Sequence, residues 1–68
     1  MKDLKATQLA VRTMFLSELT GINPNLIIRY FALLEAIPDA SLDTKCTVTG
    51  LCPHKVKELQ WTIERFDL

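Results

Sequence analysis

The pentapeptide Thr20-Gly21-Ile22-Asn23-Pro24 returns further along the chain as Thr49-Gly50-Leu51-Cys52-Pro53. Gly21 and Gly50 are the only glycines in the chain, and Pro38 is the only proline outside the two copies. Glycine suits the position just past a helix end, where the backbone turns left-handed without a Cβ clash. Proline suits the first helical turn, where its missing N–H has no partner to lose. Each copy therefore predicts one helix ending and another beginning. At the same offset Ile27 meets Val56, Glu35 meets Glu64 and Ile37 meets Phe66. Two copies are too few for a solenoid, which needs about three, so they describe one junction used twice within a single domain, residues 1–68.

The junctions divide the chain into four segments. The first runs from Asp3 to Thr20, with Leu4, Val11, Phe15 and Leu19 recurring on one helical face. The second runs from Pro24 to Ala36, with Asn23 placed to cap it and Pro38 to stop it. The third, Leu42 to Thr49, has Ser41 placed to cap it and is weakened by Thr44, Thr47, Val48 and Thr49, because β-branched side chains lose rotamer freedom in a helix. The fourth runs from Pro53 to Phe66, with Val56, Leu59, Ile63 and Phe66 on one face. Alternation is weak and confined to Cys46 to Val48. The expectation is an all-α bundle of about four helices with helix-turn-helix-like junctions.

A chain of 68 residues buries only about 60% of the surface its unfolded form exposes. Nearly half of this one is apolar, and the segment Leu26 to Leu34 is apolar almost all round. Such a helix is central to a core or covered in an oligomer, so a homodimer is expected. Trp61 falls about 200° around the helix from both Leu59 and Ile63. It is expected to be half-buried at the core edge, or else to anchor a partner. Neither Leu9 to Leu19, which holds Arg12 and Glu18, nor Leu26 to Ile37, which holds Arg29 and Glu35, reaches the roughly 18 apolar residues of a membrane span. The chain opens at Met1 with no cleavable signal pattern, and its two cysteines read as reduced thiols of a cytoplasm.

The residues around the first junction, Phe15-Leu16-Ser17-Glu18-Leu19-Thr20-Gly21-Ile22-Asn23 followed by Ile27 and Tyr30, resemble the helix-turn-helix of bacterial transcription regulators. In that pattern glycine opens the turn, the next residue enters the core, and a later Ile or Val locks the second helix. The second copy matches through Cys46, Gly50, Leu51, Val56 and Leu59, but Lys45 stands where an apolar residue is usual. The resemblance implies a small DNA-binding transcriptional regulator of bacterial or phage type, its second helix lying in the major groove of double-stranded DNA.

Charge ranks the two copies. Eight basic residues balance eight acidic ones, which excludes a polybasic coat. Yet the segment Thr44 to Lys57 holds three lysines and no acid. That points to Lys45, His54, Lys55 and Lys57 as the DNA-binding set, with Asn25 and Arg29 of the first copy as the alternative. The competing function is a helical module that docks on a larger protein as inhibitor or adaptor.

Catalytic chemistry finds little footing. Cys46, Cys52 and His54 are spaced C-x5-C-x-H, unlike the paired ligands of structural zinc sites. Cys52 with His54 suggests a thiol nucleophile, but no third group converges on them. Two glycines make no phosphate-binding loop, and Glu58 and Glu64 fall on differing faces. Neither a cofactor nor an enzymatic activity is expected.

Overall fold

The computed structural model describes residues 3–66, with side chains described from Thr7 onward. Four α-helices fill it: α1 (Asp3–Thr20), α2 (Pro24–Ala36), α3 (Leu42–Thr49) and α4 (Pro53–Arg65). The third segment is a true helix despite its threonines. Ser41 Oγ accepts the Thr44 N–H at 3.2 Å and so caps its start. Asn23 Oδ1 accepts the Asn25 N–H at 2.9 Å at the start of α2. Cys52 opens α4 without a side-chain cap bond, as a thiol should. The fourth helix stops at Arg65, one residue short of the expected end. Ile37 leaves the helical region ahead of Pro38, at φ −134° and ψ 85°, because a following proline ring disfavours α geometry.

Helix α2 packs against α1 and α3, and α4 packs against the same two, so the helices close a ring in chain order. This ring has the symmetry of the sequence echo. Shifting by one copy carries the α1–α2 contact onto α3–α4 and the α2–α3 contact onto α4–α1. Core positions follow the shift: Ile27 and Val56 are both buried, as are Tyr30 and Leu59. Leu16 and Ile22 complete the core cluster, and Leu51 packs against it.

Helix α1 docks by a face other than the expected one. Val11, Phe15 and Leu19 are exposed, whereas Thr13, Leu16 and Thr20 are buried. Leu4, the other member of the expected stripe, lies outside the described side chains. Threonine explains the difference. The Thr20 hydroxyl donates to the Leu16 carbonyl at 2.7 Å, which satisfies the oxygen locally and leaves the methyl to face the core. Thr49 and Thr62 do the same to Lys45 and Glu58, at 2.6 and 2.8 Å.

Thr13 is the exception: its buried Oγ1 makes no hydrogen bond. A buried hydroxyl without a partner costs about 1–3 kcal/mol. Thr13→Val keeps the shape and removes that cost, so it is expected to raise stability by about 1 kcal/mol in urea denaturation. A loss of stability would mean that the hydroxyl is satisfied in solution.

Candidate nucleic-acid interface

Both junctions form the same capped turn. Gly21 and Gly50 hold φ values of 72° and 75°. Their N–H groups donate to the Ser17 and Cys46 carbonyls, each at 2.8 Å. The threonine before each glycine accepts the N–H of the residue after it: Ile22 N to Thr20 Oγ1 and Leu51 N to Thr49 Oγ1, both 3.2 Å. Ser17 adds a bond from its hydroxyl to the Ile22 carbonyl at 2.7 Å. Each turn thus delivers an apolar residue inward and leads into the next helix, whose first residue is the proline.

The expected DNA-binding residues divide into two groups. Asn25, Arg29, His54 and Lys57 are exposed. Lys45 and Lys55 are drawn into the structure. Lys45 Nζ donates to Gln60 Oε1 at 3.3 Å and lies 5.9 Å from the Tyr30 ring centroid. Lys55 Nζ donates to the Thr20 carbonyl at 3.3 Å and to Glu58 Oε1 at 3.2 Å. A cation on a C-terminal carbonyl of α1 suits the negative end of that helix, so Lys55 ties α4 to α1. Its ion pair with Glu58 is partly exposed and adds little by itself. Of the three lysines in the segment Thr44 to Lys57, Lys57 is exposed, while Lys45 and Lys55 are partly buried and bonded within the fold.

On α2 the outward positions Asn25, Arg29, Ala32 and Ala36 follow one another at helical spacing and are all exposed. No Asp or Glu occurs between Leu19 and Leu34. On α4 the positions matching Asn25, Arg29 and Ala32 are His54, Glu58 and Trp61, with Lys57 exposed beside them. Trp61 is 60% exposed and does not cover the core edge as expected.

An open groove of about 490 Å³ draws on all four helices, through Arg12, Tyr30, Phe31, Lys45, Gln60 and Glu64 among others. Burial, with Glu64 nearby, raises the Tyr30 phenol pKa above its ordinary value. The Arg12 guanidinium sits 4.8 Å from the Phe31 ring centroid. Glu35 and Glu64 line the groove together with Arg12 and Lys45, so it has no dominant sign of charge.

Cys46 is partly buried and Cys52 exposed, and both are free thiols. Among the described residues no three His, Cys, Asp or Glu side chains are grouped to hold a metal ion. No described helix is long and apolar enough to cross a membrane. No protein-family model, curated protein or solved structure matches the chain.

Proposed function

We propose that this chain is a small helix-turn-helix DNA-binding transcriptional regulator, with α2 as the helix that enters the major groove. The observation that carries this is the first junction. Its capped turn seats Ile22, Ile27 and Tyr30 in the core and leaves Asn25 and Arg29 outward. Those two side-chain types suit base edges: Asn pairs bidentately with adenine and Arg with guanine. Ala32 and Ala36, farther along the same face, add no bulk between helix and groove. The second copy is the weaker reader, because Glu58 takes the place of Arg29 in it and holds Lys55.

The test is a gel shift with genomic fragments at low salt. Each good bidentate base contact is worth about 1–3 kcal/mol, so Asn25→Ala with Arg29→Ala is expected to weaken binding by at least about 30-fold. His54→Ala with Lys57→Ala is expected to do less. It should flatten the dependence of log K on log salt by about 0.9 for each phosphate no longer neutralised. The reverse ordering would make α4 the reader. Absence of DNA binding at low salt would overturn this reading and leave docking on a larger protein as the alternative.

A further inference from the structure

The face of α1 that turns away from the core is its most apolar one. Val11 and Met14 are 61% and 67% exposed, and Phe15 and Leu19 remain 42% and 45% exposed. The surface continues onto α4. Phe15 and Phe66 meet edge to face with ring centroids 5.7 Å apart. The Arg65 guanidinium lies 5.3 Å from the Trp61 ring centroid and 5.8 Å from that of Phe66. Six large apolar side chains, at roughly 150–250 Å² for the aromatic ones, leave on the order of 600 Å² of apolar surface open. That is the upper end of what a monomer carries.

We propose that this surface of α1 and α4 is where two copies of the chain associate about a twofold axis. Three observations select a second copy as the occupant. The open area approaches the roughly 800 Å² that each partner contributes to a standard interface, where much of the area is apolar. The chain has no formal net charge, so two copies meet without repulsion. The charges on the surface also complement each other. Glu18 is exposed one turn from Met14 on α1, and Arg65 bridges Trp61 and Phe66. A twofold interface places one patch against its own image, so the anion must find its cation within that same patch. Glu18 and Arg65 supply the two signs within it. The interface leaves out the outward face of α2, and it does not depend on whether that face binds DNA.

Sedimentation equilibrium without DNA at micromolar concentration tests this. The expected mass is twice the 7.7 kDa of one chain. Met14→Lys with Trp61→Lys changes two exposed side chains. It is expected to raise the dimer dissociation constant at least about 30-fold, as removal of central anchor residues does, with the helical circular dichroism unchanged. Ile28→Lys, exposed on α2, is expected to leave the dimer intact. Glu18→Arg is expected to weaken association and Glu18→Arg with Arg65→Glu to restore it. A species with the mass of one chain, and nothing larger, would overturn the proposal. So would a dimer that survives Met14→Lys with Trp61→Lys and is broken by Ile28→Lys.

Discussion

Replacing Leu16 by alanine is expected to lower the thermal midpoint by about 10 °C or more. Among the described side chains of α1, Leu16 is the one fully buried large apolar group, and its buried neighbours are Thr13 and Thr20. Truncating a buried leucine to alanine costs about 2–5 kcal/mol, from forfeited transfer energy and the cavity left behind. A 68-residue domain at about 0.05–0.15 kcal/mol per residue has roughly 3–10 kcal/mol in total. The substitution therefore removes a large share of the stability, and 1 kcal/mol shifts the midpoint of a domain this size by about 4–8 °C. Leu19→Ala is the matched control on the exposed face. At low protein concentration it is expected to cost well under half as much. Its cost should grow with concentration, because association stabilises whatever it binds, while that of Leu16→Ala should not. Equal losses at all concentrations would mean that α1 docks by the face its apolar spacing suggests.

That apolar spacing misleads because it counts side chains by type. Val11, Phe15 and Leu19 form a clean stripe, but a helix buries the stripe that its neighbours can cover. The covered one is Thr13–Leu16–Thr20. A threonine bonded to its own helix backbone, as Thr20 is, acts toward the core as a methyl group, and no count of apolar residues registers it. Elsewhere the chain is easy to read. Glycine and proline punctuate the sequence at the observed helix ends, and the two caps Asn23 and Ser41 act as their side chains allow.

Lys45 and Lys55 teach a different lesson, because the sequence does carry the signal. The offset between the two copies places Lys45 on Leu16 and Lys55 on Leu26. Leu16 is buried, and Leu26 is partly buried against the core. The same shift places His54 on Asn25 and Lys57 on Ile28, all exposed. The echo thus separates the two partly buried lysines from the exposed one. Summing charge along the chain merges them. A lysine at a partly buried position is tolerated because its stem packs while its ammonium reaches a polar partner, here Gln60 for Lys45 and the Thr20 carbonyl for Lys55.

The two turns themselves set the second large effect. Gly21 and Gly50 both have positive φ, and a Cβ added to either would meet nothing within 4 Å. Space is therefore not what demands glycine; backbone conformation is. A left-handed residue with a Cβ costs roughly 1–2 kcal/mol, and a β-branched one more, since its side chain crowds the turn. Gly21→Val with Gly50→Val is expected to remove about 2–4 kcal/mol, enough to leave a small domain partly unfolded at room temperature. Asparagine distinguishes conformation from crowding. It tolerates left-handed geometry far better than valine, although the two are similar in bulk. Gly21→Asn with Gly50→Asn is therefore expected to retain most of the urea midpoint that the valine pair loses. If the two pairs lose stability equally, the glycines are needed for room and not for φ. Because the first turn sets the direction in which α2 leaves α1, the asparagine pair should also keep Asn25 and Arg29 outward. DNA affinity, if the proposed function holds, should then stay within a few-fold of the unaltered chain.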